Sequence, residues 1–263
     1  MPAWSIRNGH NTPIAPGDTV SAEHEVETAA DAALVMRVPE GSLIRLGQKT
    51  RLGIQRLEVN PVDGRIAVRA DLKLFDGFFR FATSAVAKVV GQRQVNVTLR
   101  TATIGVRGTD FWTMTAVTHE TTCLFEGKVE LNTPDNGLIT LDKPTAFYQR
   151  VFDKPAQPAS NATPEQLNKF VNLTELQPGR GVAVAGGQWR VIALATADSC
   201  SAIGLAGRLR AQGYPARMRA SGPVGRERLE ISITELASEQ DAEAILKKIA
   251  DVQGVVGSVA RMA

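Results

Sequence analysis

Apolar side chains recur at every second position from residue 14 to about residue 152, and this period of two constrains that part of the chain to half-buried β-strands. The alternation is clearest in residues 43–48. Turn-forming pairs such as Asp76-Gly77 and Glu126-Gly127 interrupt it at short intervals. Many short strands with this spacing are typical of a sandwich or a solenoid-like fold, so we assign residues 1–152 to an all-β domain.

One segment inside this region departs from the strand pattern. Residues 83–91 begin with a hydroxyl side chain that can cap a helix, place Ala and Val at helical spacing and end in glycine. This combination predicts a short helix.

The region that follows the β domain, residues 153–185, is interpreted as a Pro-rich linker that contains one helix. Residues 154–162 are rich in Pro and Ala and have no apolar period. Thr163-Pro164-Glu165-Gln166 then predicts a helix start, in which Thr163 caps the helix and Gln166 returns a bond to the cap. We expect a helix over about 164–176, and its apolar face predicts that it packs on a neighbouring domain.

The last part of the chain, residues 186–263, has the element order β-α-β-β-α-β. The two helix starts are marked by Ser199 and Ser238, and glycine at position 213 ends the first helix. This order predicts an α+β domain with one antiparallel sheet and both helices on one face. The whole chain is therefore expected to be a mixed, two-domain protein.

Composition limits the possible functions. The 263 residues carry a formal net charge of only +3, which creates no strong field for nucleic acid. Apolar runs stay well below the roughly 18 residues of a membrane span. Three histidines and two cysteines are scattered without metal-ligand or nucleophile–base spacing. We therefore predict a non-enzymatic protein without metal or cofactor.

The two cysteines, Cys123 and Cys200, lie in different halves of the chain. One disulfide is possible, and two isolated buried thiols are the interpretation that we favour. The N-terminal residues have neither a basic segment nor an apolar one, so an export signal is not visible in this sequence.

Residues 101–112, which read TATIGVRGTDFW, resemble the signature of FecR-type domains, the family named after a periplasmic sensor of iron-dicitrate uptake. The segments VPEGSLIRLG (38–47), FDGFFRF (75–81) and LFEGKVE (124–130) resemble three further family motifs in the family's order. The resemblance covers about residues 14–150. It implies a non-catalytic, periplasmic module used for sensing or protein contacts, and it links the chain to signal transduction. Family members that signal to a sigma factor carry a membrane span and a cytosolic N-terminal segment, which this sequence does not show.

The centre of this signature has two interpretations. Its glycine stands where the backbone turns or approaches another strand, between an arginine and an aspartate that can pair. The group can contact a ligand, or it can hold a corner of the β framework, and we favour the structural role. The residues concerned are Arg107, Gly108, Thr109, Asp110, Phe111 and Trp112.

The C-terminal segment is similar to SPOR domains, the sporulation-related modules that bind peptidoglycan glycan strands stripped of stem peptides. The residues that carry this resemblance are Trp189-Arg-Val191, the LRAQGYP run at 209–215 and the AEAILKKI run at 242–249. The resemblance implies a peptidoglycan partner and a role at the cell wall, as in cell division.

Alternation along the strands assigns one face of the predicted sheet to the helices and leaves the other face open. Arginine forks and a serine hydroxyl on the open face can bond sugar hydroxyl and amide groups, while aliphatic side chains can lie under a sugar ring. Arginines that only solvate an uncovered sheet are an equally good interpretation. The predicted open face consists of Arg190, Ile192, Leu194, Arg217, Arg219, Glu230 and Ser232.

Two functions from different classes follow. The first is a periplasmic cell-envelope protein whose FecR-like domain is anchored to peptidoglycan through the SPOR-like domain. The second is a periplasmic sensing or scaffold protein whose two domains bind protein partners without glycan. The same β-α-β-β-α-β order occurs in RNA-recognition domains, but the predicted open face lacks the aromatic residues on which bases stack, so no nucleic acid partner is expected.

Overall fold

The computed structural model describes residues 1–62, 65–85, 91–223 and 226–262. The chain separates into two compact units, Val20–Glu175 on the one hand and Met1–Thr19 with Leu176–Ala263 on the other. We call the first the β unit and the second the α+β unit. This division differs from the predicted boundaries at residues 152 and 186, because the first 19 residues group with the C-terminal part of the chain.

The strands and helices are as follows in chain order. The strands are β1 (Ala3–Arg7), β2 (His10–Pro13), β3 (His24–Thr28), β4 (Leu34–Arg37), β5 (Leu43–Leu46), β6 (Arg51–Val62), β7 (Arg65–Ala82), β8 (Gly91–Thr98), β9 (Thr103–Thr115), β10 (His119–Thr133), β11 (Gly137–Leu141), β12 (Ala146–Val151), β13 (Ser160–Asn161), β14 (Trp189–Thr196), β15 (Arg217–Ser221), β16 (Arg228–Leu236) and β17 (Ser258–Arg261). The helices are α1 (Pro164–Asn172), α2 (Ser199–Ala211) and α3 (Glu239–Ile249). The predominance of strands confirms the β-rich character expected for the N-terminal region, while the short helix predicted at 83–91 falls mainly on residues outside the described ranges.

The β unit is built around the long strand β7. Its sheet has the order β13-β12-β10-β9-β8-β7-β6-β3, with β11 paired to β10 and the β4–β5 hairpin paired to β7 through β5. Strands β7 and β8 are parallel, and the other pairings within this unit are antiparallel. The 18 residues of β7 therefore hydrogen-bond to four other strands in different parts of their length.

The core of the β unit forms because alternate residues of these strands point to one side. Phe79 and Phe111 lie on neighbouring strands with ring centroids 5.9 Å apart, and Phe81 lies 6.4 Å from Phe111. All three rings are buried, and each contributes roughly 2–3 kcal/mol through burial of apolar surface. Leucines and valines of the same strands, such as Leu72 and Val97, complete this core.

The α+β unit contains a four-stranded antiparallel sheet of order β15-β16-β14-β17 and the helices α2 and α3. The cap of α2 is Asp198, one residue before the Ser199 expected from the sequence, and its carboxylate accepts bonds from the amides of Cys200 and Ser201. Ser238 caps α3. Buried residues of both helices pack on Val191, Ile231 and Ile233 of the sheet.

The N-terminal hairpin β1–β2 belongs to this unit because it packs closely on the end of α2. The indole of Trp4 lies so near Gly213 that a Cβ atom at position 213 would stand 2.5 Å from the ring. Gly213 has a φ of +83°, a left-handed conformation that ends the helix and favours glycine. The missing side chain also leaves room for the Trp4 ring. A contact between residues this distant in sequence has no local signal, and the sequence analysis did not predict it.

The carboxylate of Asp241 joins α3 to the segment that leads into the sheet. It is buried and accepts bonds from the amides of Gly181, at 3.0 Å, and Val182, at 2.8 Å. The Ser238 hydroxyl lies 2.6 Å from its second oxygen. Two backbone amides 59 and 60 residues away in sequence thus share one side-chain acceptor.

Replacement of Asp241 by alanine is expected to lower the free energy of unfolding by about 1–3 kcal/mol, because two buried N–H groups lose their acceptor. Urea unfolding followed by circular dichroism measures this change. Asp251→Ala, which removes an exposed carboxylate just after the same helix, is the matched control and is expected to change little. Equal stabilities of the two variants would contradict this role of Asp241.

Candidate functional site

The two aromatic residues of the signature lie on opposite sides of β9. Phe111 points into the core of the β unit, whereas Trp112 points to the other face of the sheet, and both side chains are fully buried. Successive residues of a strand face opposite sides, so adjacent aromatic residues can be buried together only where both faces of the sheet are covered. The signature therefore marks a strand with packing on both sides.

Gly108 and Thr109 lie where the register between β9 and β10 shifts twice within a few residues. Gly108 has a φ of +63°, and Gly127 on the facing strand has a φ of +85°. A Cβ atom on Gly127 would stand 2.7 Å from the carbonyl oxygen of Gly108, so the two backbones approach closely at this double bulge. Thr109 is buried, and its amide donates to the Thr83 hydroxyl.

Asp110 forms an ion pair with Arg80 of the neighbouring strand β7. The two carboxylate oxygens accept from Arg80 Nε at 2.9 Å and Nη2 at 2.7 Å, the bidentate geometry that suits an arginine fork. The hydrogen bonding of Arg80 to the Asp110 carboxylate is the main cause that raises the pKa of the Arg80 guanidinium. The expected partner, Arg107, has a side chain outside the described residues.

A second carboxylate extends this pair into a network that the sequence analysis missed. Glu175 accepts from Arg80 Nη1 at 2.9 Å with one oxygen and from Arg45 Nη1 at 2.8 Å with the other. Arg45 and Arg80 stand directly opposite each other on β5 and β7, so their side chains share a face. Without Glu175 the two positive charges would repel each other. Glu175 lies 95 residues from Arg80, so only long-range pairing brings the two together.

Helix α1 covers the Trp112 side of the sheet. The ring of Phe170 stacks on the Trp112 indole with centroids 4.2 Å apart, and Phe147 lies 6.0 Å from Phe170 on another side. Thr163 caps the helix and Gln166 returns a bond to the cap, the reciprocal arrangement that the sequence predicts. The helix ends at Asn172, earlier than the predicted residue 176, and packs within the β unit.

Close contact continues after the helix. A Cβ atom on Gly47, which follows β5, would stand 2.2 Å from the carbonyl oxygen of Leu173. Only a glycine lets the chain pass so near the end of this strand. Phe170, Leu173 and Glu175 thus touch the sheet at three successive points of one short segment.

The cysteines differ in their surroundings. Cys123 is buried between β9 and β12, beside Trp112 and Phe147, while Cys200 is exposed near the start of α2, contrary to the expectation that both thiols are buried. Both are free thiols. Burial raises the pKa of the Cys123 thiol to about 12.

The predicted open face of the four-stranded sheet carries ion pairs. Arg190 Nη1 lies 2.9 Å from a carboxylate oxygen of Glu230, and Arg217 Nη2 lies 3.4 Å from Glu235. Arg219 stands opposite Glu230 and is exposed. The arginines of this face are therefore present on the surface, but two of them already have carboxylate partners.

Three predicted members of the open face are not available there. Glu230 and Ser232 are only 8% and 1% exposed. Glu230 is held by Arg190, and the small Ser232 lies between the larger side chains of Ile192 and Arg217. The register of β14 and β16 shifts after Ile192, and Leu194 packs against the core instead of facing outward. A β-bulge breaks the simple alternation on which that prediction relied.

Arg228 is a further arginine on this face. It stands opposite Ser221, two positions along from the Arg219–Glu230 pair, and residues at such alternate positions share a face. Its side chain is exposed. The open face predicted from the sequence did not include it.

Among the residues that the structure describes, no group of three or more His, Cys, Asp or Glu side chains is arranged to hold a metal ion. No helix in the described ranges is long and apolar enough to cross a membrane.

Arg80→Ala is expected to lower the free energy of unfolding of the β unit by about 2–4 kcal/mol, because Asp110 and Glu175 then lose their shared donor in a largely buried site. Arg80→Lys keeps the charge but not the fork and is expected to lie between the wild type and the alanine variant. Guanidinium chloride unfolding measures both. Arg69→Ala, an exposed arginine on the same strand, is the control, and an Arg80→Ala variant as stable as this control would contradict the role of the network.

The difference between the two thiols predicts their reactivity. At pH 8 Cys123 remains a protonated thiol because its pKa is near 12, so only Cys200 is expected to react with iodoacetamide in the folded protein. Mass spectrometry is expected to find one modified cysteine under native conditions and two after denaturation. Rapid native labelling at Cys123 would contradict its burial.

Comparison with known proteins bears on the β unit. Residues 24–130 match the family described as FecR protein. No curated protein matches the sequence. Two solved structures of a candidate anti-sigma factor from Parabacteroides distasonis ATCC 8503 are similar. The structure at 1.65 Å resolution has a TM-score of 0.43 and a sequence identity of 14%, and the match covers 88% of this chain and 92% of that chain. The structure at 2.50 Å resolution has a TM-score of 0.41 and a sequence identity of 13%, and the match covers 78% of this chain and 97% of that chain. The family match alone confirms a FecR-type region, and its residues 24–130 lie within the predicted range of about 14–150.

Proposed function

We propose that the protein is a non-enzymatic component of the bacterial cell envelope, in which the β unit serves in sensing by contacting protein partners. The match of residues 24–130 to the FecR family is the observation that carries this proposal. The resemblance to this family supports a location on the periplasmic side of the envelope. The C-terminal segment, with its SPOR-like order of strands and helices, is treated as a second binding module.

The geometry of the signature supports a binding module rather than a reactive centre. The charged side chains described there hold one another, since Arg80 bonds both Asp110 and Glu175. The side chains of Phe111 and Trp112 pack on opposite sides of the sheet and are fully buried. Residues used in this way fix the shape of the β unit, and a partner then contacts the surface that this shape presents.

Subcellular fractionation of the tagged full-length protein in the bacterium that encodes it tests the envelope assignment. We expect the protein in the periplasmic or envelope fraction, where protease added to spheroplasts degrades it while a cytoplasmic marker stays intact. Recovery in the cytoplasmic fraction, protected together with that marker, would overturn the proposal.

Glycan anchoring is a second candidate function, and a specific observation favours it. Arg219 and Arg228 are exposed on the same face of the sheet, and the half-buried Ile192 stands opposite Ser232 on that face. Arginine forks can bond sugar hydroxyl, amide or carboxylate groups beside an aliphatic surface. The burial of Glu230 and Ser232 restricts such contacts to fewer groups than the sequence suggests, which is why this function is placed second.

Arg219→Ala is expected to reduce pelleting of the full-length protein with purified peptidoglycan by several-fold if the sheet binds glycan, because one of the exposed forks is lost. Lys247→Ala, which removes an exposed positive charge from α3, is the matched control and is expected to pellet like the wild type. A wild-type protein that stays in the supernatant, or equal pelleting of all three proteins, would reject glycan binding by this face and leave the protein-binding function.

A further inference from the structure

The segment of residues 163–175 occupies the outer side of the β unit through few side chains. Phe170 is the buried residue of α1, and most of the other helix residues are exposed. Leu167 and Leu173 pack against the same cluster as Phe170, Thr174 is buried, and Glu175 bonds the two arginines of the sheet. We call residues 163–175 the docked segment.

The surface beneath the docked segment is rich in aromatic side chains. Trp112 lies at its centre, stacked on one side by Phe170 and flanked by Phe78 at 6.1 Å, and Phe147 lies against Phe170. We call Trp112, Phe78 and Phe147, with the adjoining Met114 and Phe125, the aromatic platform. A platform of this kind binds a flat apolar side chain strongly, since each aromatic pair adds about 0.5–1.5 kcal/mol beyond the burial of area.

The docked segment does not satisfy every group of the platform. Trp112 is fully buried, and its indole Nε1–H has no acceptor within hydrogen-bond distance. A buried donor without a partner costs about 1–3 kcal/mol. A different occupant that brings an acceptor to this position would recover that energy.

Next to the platform lies a preformed site for a carboxylate. Arg45 and Arg80 each direct one Nη1 donor at Glu175, at 2.8 and 2.9 Å. The other two nitrogens of the Arg80 guanidinium, Nε and Nη2, donate to Asp110, which fixes the guanidinium in place whether or not Glu175 is present. Phe125 also lies under Arg80, with 5.0 Å between the guanidinium carbon and the ring centroid. Glu175 thus behaves as a resident ligand in a two-arginine site.

The chain before the docked segment holds it only loosely. Residues 153–161 are nearly all exposed and include Pro155 and Pro158, and β13 pairs with β12 over just two residues. A helix of nine residues is marginal in water on its own, so α1 depends on its docking contacts. Such a segment can leave the sheet without unfolding the strands beneath it.

We propose that the aromatic platform and the Arg45–Arg80 pair form a binding site for an amphipathic helix of a partner protein, and that the docked segment occupies this site as an internal competitor. The partner helix carries an aromatic residue in its last turn and a carboxylate just beyond its C-terminal end, as Phe170 and Glu175 do. This inference adds the location of a protein-binding site to the proposed function, and it is independent of glycan binding.

The direct test uses a fluorescent synthetic peptide of residues 163–176 as the probe and the full-length protein as the receptor. Phe170→Ala in the protein removes the internal aromatic anchor and is expected to allow the peptide to bind, measured by fluorescence anisotropy. The wild-type protein is expected to bind it at least about tenfold more weakly, because a tethered competitor has an effective concentration in the millimolar range. A peptide with alanine at the position of Phe170 is the matched control and is expected not to bind.

The arginine pair is tested in the same assay. Adding Arg45→Ala to the Phe170→Ala protein is expected to weaken peptide binding about tenfold, whereas adding Arg69→Ala on the exposed surface is expected to leave it unchanged. Circular dichroism must show that each receptor is folded. Failure of the peptide to bind a folded Phe170→Ala protein would overturn the proposal. A wild-type homodimer that is detected by light scattering and lost on Phe170→Ala would also overturn it, because the site would then bind a second copy of this chain.

Hydrogen exchange on the wild-type protein keeps the proposal testable if Phe170→Ala does not fold. The amides of Leu173 and Thr174, bonded to carbonyls of the helix, are expected to exchange at least about 100-fold faster than those in the β9–β10 ladder. Equal protection would mean that the docked segment leaves the sheet only on global unfolding. This result would overturn the proposal that a partner helix can replace the docked segment.

Discussion

The bidentate ion pair of Arg80 with Asp110 is the interaction on which the architecture of the β unit depends most. It joins β7, the strand with the most partners, to β9, the strand that carries the FecR signature. Because Nε and Nη2 of Arg80 are fixed by Asp110, the position of Nη1 is also fixed, and Nη1 donates to Glu175. A single guanidinium thus connects the β framework with the segment that covers its outer face. The stacking of Phe170 on Trp112 adds the apolar half of the same attachment.

The signature can now be understood as a folding element. Its glycine accommodates a double bulge, its aspartate fixes an arginine of the next strand, and its two aromatic residues are buried on opposite faces. None of these roles requires a ligand, and the burial of Trp112 requires that the outer face of the sheet be covered. In this chain the cover is a short helix held by an aromatic ring and a carboxylate, which connects the fold of the β unit with its proposed binding of a partner helix.

Sequence analysis predicted strand periodicity and the capping box at Thr163 well, since both act over a few residues. The pairs Asp76-Gly77 and Glu126-Gly127, which it interpreted as turns, lie inside the long strands β7 and β10. It could not predict contacts set by distant pairing. The alignment of Arg45 with Arg80 and the approach of Glu175 depend on register, and the packing of Trp4 on Gly213 joins the two ends of the chain. The assignment of Leu194 to the open face was wrong because a bulge reverses the alternation after Ile192. Glu230 and Ser232 were placed on the correct side of the sheet, but burial depends on neighbouring side chains that alternation does not describe.

A double-mutant cycle for Arg80 and Asp110 measures the central interaction most directly. The unfolding free energies of the wild type, Arg80→Ala, Asp110→Ala and the double variant give the coupling between the two side chains without the separate cost of each replacement. A bidentate, largely buried pair predicts a coupling of about 1.5–3 kcal/mol. A coupling near zero would show that the two strands are held together by packing alone and that Arg80 is not oriented by Asp110.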